Sequence, residues 1–184
     1  YNAFPILVSG HPTMQITGIL LAAGAGSRFG GGKLLHRMPD GTPIGVASAR
    51  NLARAVGRVV AVVRPGDVEL AQLLRAEVDQ VVECAAAHLG MGYSLAAGVR
   101  AAADAQAWLV ALGDMPRVRD ATCALLLRAL RDGAPLVAPV SAGVRGHPVG
   151  FAAEFRDALL ALEGDAGARA VVQANRERMV LVPC

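Results

Sequence analysis

Residues 18–35 read GILLAAGAGSRFGGGKLL. The stretch opens as an apolar strand, passes through alanines and glycines, and then sets Arg28 and Lys33 into a segment with no other charge. Small side chains at Ala22-Ala23-Gly24-Ala25-Gly26, after Leu21, let a ligand come close to the backbone, and glycine permits positive φ. Successive free N–H groups in such a turn form a concave anion nest. Arg28 offers phosphate oxygens a planar fork, and Lys33 a mobile point charge. These residues describe a cradle for a triphosphate or pyrophosphate. The alternative is a flexible loop whose cations are simply solvated.

Two other glycine loops do not fit. The P-loop pattern G-x-x-x-x-G-K-[ST] finds Ser27 at its first glycine and Leu34 after its lysine. The dinucleotide pattern G-x-G-x-x-G starts at Gly24 and Gly26 but meets Phe29 at its third glycine. The acidic residue that pattern needs farther on is also missing, because Asp40 lies in the turn-like MPDGTP.

Outward from the loop, short apolar runs alternate with helical patterns. Strands are expected at 16–22, 58–63, 80–84, 107–112, 135–140, 147–151 and 178–183. Helices are expected at 44–56, 68–78, 92–103, 120–133, 154–164 and 166–175. Asp67 and Asp120 are candidate N-caps, and Gly133 a helix stop. This alternation predicts an α/β, Rossmann-like fold with a mainly parallel central sheet between two helical layers. The strands are apolar nearly throughout, as in a sheet covered on both faces. Ligands of such sheets gather beyond the carboxyl ends of the strands.

The composition agrees. The chain has 184 residues, 54% of them hydrophobic and only 4% aromatic, which suits one domain packed with small side chains. A net charge of +3 is compatible with an anionic ligand and too weak to argue for nucleic acid. Cys84, Cys123 and Cys184 lie far apart and read as reduced thiols of a cytoplasmic protein. The four histidines are too dispersed for a zinc site. No apolar run approaches the ~20 residues that span a bilayer. Residues 1–13 lack the features of a signal peptide and are expected to be an added or disordered leader, with Met14 as the native start. Residues 14–184 are then expected to form a single domain.

A second signal is AWLVALGDMP (107–116), in which an apolar strand ends in Gly113 and Asp114. The carboxylate falls on the same sheet edge as the glycine loop. A lone carboxylate near phosphates commonly holds Mg²⁺, which binds through one or two carboxylates plus phosphate oxygens. A capping role is disfavoured because Asp120 is already available to the next helix.

These two stretches, in this order, resemble the nucleotidyltransferases of the molybdenum-cofactor family, which carry L-A-[AG]-G-x-x-x-R-x-G-x-x-K after the first strand. Here that motif stands complete as LAAGAGSRFGGGK (21–33). LAAG, GMGYSL (90–95), ALGDMP (111–116) and RGHPVGF (145–151) are similar to the cytidylyl-transferring branch, molybdenum cofactor cytidylyltransferase. The first motif alone would also fit sugar-phosphate and other nucleotidyltransferases.

The resemblance implies transfer of CMP from CTP to the phosphate of a molybdopterin acceptor, with release of pyrophosphate and Mg²⁺ as cofactor. It implies catalytic roles for Arg28, Lys33 and Asp114, and nucleotide contacts along Leu21–Gly26 and at Gly90, Gly92 and Ser94. Ser94 could equally be a small residue at a helix start. The resemblance also implies that the N-terminal part of the domain binds the nucleotide and the C-terminal part the acceptor, with Arg145 and His147 on the acceptor side, although His147 could instead fix the turn RGHP. Asp165, in GDAGAR (164–169), is either a second metal ligand or a cap for the helix from Ala166. A molybdenum enzyme receiving the product is the implied partner, with no nucleic acid or membrane. In one respect the sequence departs from expectation: GTPIGVASARNL (41–52) shows no polar set suited to a pterin. The alternatives are GTP as donor, a sugar-phosphate acceptor, or a nucleotide-binding delivery module without catalysis.

Overall fold

A computed structural model describes residues 14–24 and 32–184. The expectations for residues 1–13, and for Ala25, Gly26 and Arg28, lie outside the described residues. Eight strands form one sheet: β1 (Ile16–Leu21), β2 (Val59–Val63), β3 (Gln80–Glu83), β4 (Ala107–Leu112), β5 (Leu136–Ser141), β6 (Val144–Arg145), β7 (Val149–Ala152) and β8 (Met179–Pro183). Six α-helices connect them: α1 (Ile44–Val56), α2 (Val68–Arg75), α3 (Met91–Ala101), α4 (Asp120–Arg131), α5 (Arg156–Leu160) and α6 (Arg169–Ala174).

The strand order is β3-β2-β1-β4-β7-β5-β6, with β8 alongside β5. Pairings among β1, β2, β3 and β4 are parallel, as is β5 with β8, whereas β7 runs antiparallel to both β4 and β5. The sheet is mostly parallel, as expected. Chain order runs outward from β1 to β3 on one side and resumes at β4 on the other. The switch point therefore falls between β1 and β4, and a crevice opens beyond their carboxyl ends.

Alternation along the strands sends side chains into two cores. Ile16 and Leu20 of β1, Ala61 of β2 and Leu109 of β4 pack with α1, α2 and α4 on one face. Ile19, Val62 and Val110 pack with α3, α5 and α6 on the other. Helix α1 shows why the pattern was legible: Val46, Ala49 and Leu52 are buried at helical spacing while Arg50 is exposed and pairs with Glu77. Trp108 is fully buried, its indole N–H donating to the Ala102 carbonyl at 3.2 Å, with the Arg156 guanidinium 5.0 Å from its ring centre.

Several helix ends differ from expectation. Asp67 stands at the N-cap of α2, but its carboxylate accepts from Arg64 and makes no cap bond, because a guanidinium offers two donors. Asp120 is the first residue of α4, with Arg119 at the N-cap, and it accepts from the Ala121 N–H. The helices after β7 are shorter than their patterns, α5 being preceded by a 3-10 turn at Ala153–Phe155 and α6 beginning only at Arg169. Gly133, with φ 95°, does stop α4, just past its C-cap at Asp132.

Cys84 and Cys123 are buried and Cys184 is exposed. Burial, reinforced by Asp120, pushes the Cys123 thiol up to about 11, so it stays protonated and unreactive at neutral pH. Titration of the native protein with a thiol reagent should therefore give one fast equivalent, from Cys184, with the other two appearing only on unfolding. Fast reaction of all three would contradict this packing.

Candidate functional site

The site is built by the way two adjacent strands end. β1 and β4 pair from Ile16↔Ala107 to Leu21↔Leu112. The pairing extends one residue further, with the Gly113 N–H donating to the Leu21 carbonyl at 2.9 Å. A Cβ at Gly113 would lie 3.1 Å from that oxygen and 3.3 Å from Ala22 Cα, so glycine lets the two chains stay together as they leave the sheet. Asp114 follows directly, beside the segment that begins at Ala22.

Lys33 reaches the same point from the far end of the glycine segment, in a 3-10 turn at Lys33–Leu35. Its Nζ donates to Asp114 Oδ2 at 2.7 Å, and both side chains are about two-fifths exposed, at 36% and 40%. The pair forms part of the wall of a cleft of about 460 Å³. Leu21, Ala23 and Gly24 form another part, and Gly90, Ser94 and Asp165 complete it together with Arg64, His88 and Met91. A second chamber of about 230 Å³ adjoins it, sharing Gly24, Lys33, Leu34 and Arg64 and adding Ala22.

Asp165 arrives through glycine packing. The Gly92 N–H donates to the Gly164 carbonyl at 2.8 Å. A Cβ on Gly90 would fall 2.1 Å from Gly164 C, and one on Gly92 would fall 2.5 Å from the Glu163 oxygen. These contacts are backbone to backbone, so the start of α3 and the segment 163–165 can meet only with glycine on one side. Gly92 is buried in this seam and is not part of the cleft wall. Asp165 is not a helix cap, since α6 starts at Arg169 with Ala168 at its N-cap.

Neither Arg145 nor His147 lines either chamber. Arg145 is exposed on β6. His147 is half-buried, and its Nδ1 is enclosed without a hydrogen-bond partner among the described residues. Burial lowers its pKa first and the Arg145 charge second, while the negative charge of Asp114 works the other way.

Asp114 and Asp165 supply hard oxygen donors of the kind a divalent cation prefers, with remaining positions left for phosphate oxygens and water. Among the described residues no group of three or more His, Cys, Asp or Glu side chains could hold a metal by itself. An ion held there would need further ligands from outside this pair.

The model of the MobA-like NTP transferase domain matches residues 18–179. The chain belongs to that family. This nucleotidyltransferase is also 33% identical over 177 residues to nicotine blue oxidoreductase from Paenarthrobacter nicotinovorans, covering 92% of this chain and 87% of that protein. The structure of Rv0371c from Mycobacterium tuberculosis H37Rv superposes with a TM-score of 0.76 at 25% identity, covering 95% of this chain and 90% of that one. A manganese complex of Rv0371c superposes with a TM-score of 0.69, also at 25% identity, covering 93% and 90% of the two chains.

Sequence reasoning did not single out Arg64, His88 or Met91. Arg64 follows β2 in RPGD, which reads as a simple turn; its position at a strand's carboxyl end was the available signal. Gly92→Ala should lower stability by roughly 1–3 kcal/mol, because backbone atoms must move to admit the methyl group. Urea unfolding measures this, and an unchanged midpoint would refute the seam. The His147 ring has a native pKa below its ordinary 6.5. The unfolded chain then binds this proton first as pH falls, so the stability from the neutral ring is full above pH 6.5 and is lost below it. His147→Gln should therefore lose less stability between pH 7 and 5 than the parent protein. An equal decline would contradict the burial of the ring.

Proposed function

We propose that the chain transfers CMP from CTP to a phosphorylated pterin of the molybdopterin type, releasing pyrophosphate. The observation that carries this reading is the contact of Lys33 with Asp114 in a cleft floored by Ala23 and Gly24. Cytidine as the base rests on the LAAG form of the loop and on its likeness to the cytidylyl-transferring branch. A pterin acceptor and delivery to a molybdenum enzyme rest on that likeness as well.

An acceptor phosphate is already ionised near neutral pH, so its oxygen needs no strong base to attack the α-phosphorus. What the protein must provide is alignment and charge. Without a nucleotide, Lys33 and Asp114 neutralise each other. With one bound, the Lys33 ammonium turns to the phosphate oxygens and compensates the charge that grows on the leaving pyrophosphate. The backbone of Ala22, Ala23 and Gly24 lies against the nucleotide, with Arg28 as a further cation on the same loop. Gly90 and Ser94 form the wall on the base or ribose side, and Gly92 supports that wall from behind. Asp114 and Asp165 would hold Mg²⁺ or Mn²⁺, which would supply Lewis-acid stabilisation of the phosphoryl oxygens. Arg145 and His147 meet the acceptor.

A second reading is prompted by the relative named an oxidoreductase. On that reading the cleft takes a nicotinamide dinucleotide. The missing third glycine of the dinucleotide loop and the Lys33–Asp114 pair favour the transferase.

The test is incubation with labelled CTP or GTP, Mg²⁺ and a panel of phosphorylated acceptors, with pyrophosphate as the readout and nicotinamide nucleotides as competitors. CTP-dependent pyrophosphate release is expected. Reduced or oxidised nicotinamide binding in place of CTP would overturn the proposal. In the same assay, Asp114→Asn should fold normally and lose nearly all turnover. Lys33→Ala should lose roughly 2–4 kcal/mol of transition-state stabilisation. An unchanged kcat/KM for either variant would remove that residue from the site.

A further inference from the structure

Arg64 stands where three strand ends meet the cleft in a row. The sheet order places β2, β1 and β4 side by side and parallel, so Arg64, Gly24 and Asp114 emerge along one edge. The Ala22 N–H donates to the Val62 carbonyl at 2.8 Å, tying the start of the glycine segment to the residue two before Arg64. Arg64 borders both chambers, as do Gly24 and Lys33.

The guanidinium is held in place from one side. Its Nε and Nη2 donate to the two oxygens of Asp67, each at 3.1 Å, and the two side chains are 32% and 27% exposed. A guanidinium carries five N–H donors in a fixed plane. The side-on pairing uses two of them, and among the described residues both Nη1 hydrogens and one on Nη2 have no other partner. An arginine steered in this way has lost most of its rotamer freedom before a ligand arrives, and its free edge matches two oxygens of one phosphate. For stability the pair is worth little, being partly exposed.

We infer that Arg64 contacts the phosphate oxygens of the bound nucleotide and that Asp67 is its positioning residue; this rests on the transferase reading of the cleft. Lys33 spends one of its three donors on Asp114, and Arg64 two of its five on Asp67. Among the described residues Arg64 thus keeps a planar fork that can receive a polyphosphate while its own ion pair stays in place.

Calorimetric titration of the full chain tests this, with CTP, GTP, ATP, UTP and uncharged cytidine as probes, all with Mg²⁺. Arg64→Ala should weaken CTP binding tenfold or more, leave cytidine affinity unchanged, and keep the melting temperature within a few degrees. Arg64→Lys should recover only part of the loss, since an ammonium lacks the fork. Asp67→Asn should weaken CTP binding less than Arg64→Ala and should raise KM more than it lowers kcat. Unchanged CTP affinity in Arg64→Ala, or an equal loss for CTP and cytidine, overturns this assignment and leaves the transferase reading standing. A parent protein that binds none of the four triphosphates overturns both.

Discussion

The pairing of β1 with β4 is the constraint on which the site depends. Their register runs without a break from Ile16↔Ala107 to Leu21↔Leu112 and is prolonged by Gly113. Two parallel strands that end level must release their following residues at the same height. Ala22–Gly24 and Asp114 are 90 residues apart in sequence by the difference of Gly24 and Asp114, yet they leave the sheet as neighbours. A slip of one residue would turn every side chain of β4 to the opposite core, so the hydrophobic pattern that fixes the fold also fixes the site. Leu20 and Leu109 lie in one core, and Ile19 and Val110 in the other.

Charge is arranged around that constraint in local pairs. Lys33 lies on Asp114 and Arg64 on Asp67, each within 3.1 Å. Partly exposed pairs of this kind contribute little to folding. Their consequence is geometric: each carboxylate restrains a long cationic side chain at the rim of the cleft. The two pairs differ in what remains available. The Lys33 ammonium keeps two donors that turn freely about its stem, whereas the Arg64 guanidinium keeps three in one fixed plane.

Backbone packing does the remaining positioning. Gly90 and Gly92 let the start of α3 touch residues 163–165 directly, bringing Asp165 to the cleft from the far end of the chain. The cleft is thus assembled from both halves of the sequence.

Much of the architecture was legible in the residues. Helical spacing in IGVASARNLARAV marked α1 at Ile44–Val56, and the unbroken apolar run AWLVAL marked β4 at Ala107–Leu112. Local composition decides such elements, because a buried strand or an amphipathic helix must carry its pattern in its own sequence. The glycine segment, Lys33 and Asp114 were equally visible, as small or charged residues just past apolar strands. What the sequence could not decide was partnership. Asp67 and Asp120 both read as caps, and only the fold shows Asp67 turned to Arg64. Gly92 was visible as a small residue near a helix start, and only the fold shows the carbonyl of Glu163 close beside it. Sequence by itself determined which segments are buried and which chemical groups follow them. Tertiary structure decided which of those groups meet, because a meeting depends on strand order, register and the close approach of distant backbones.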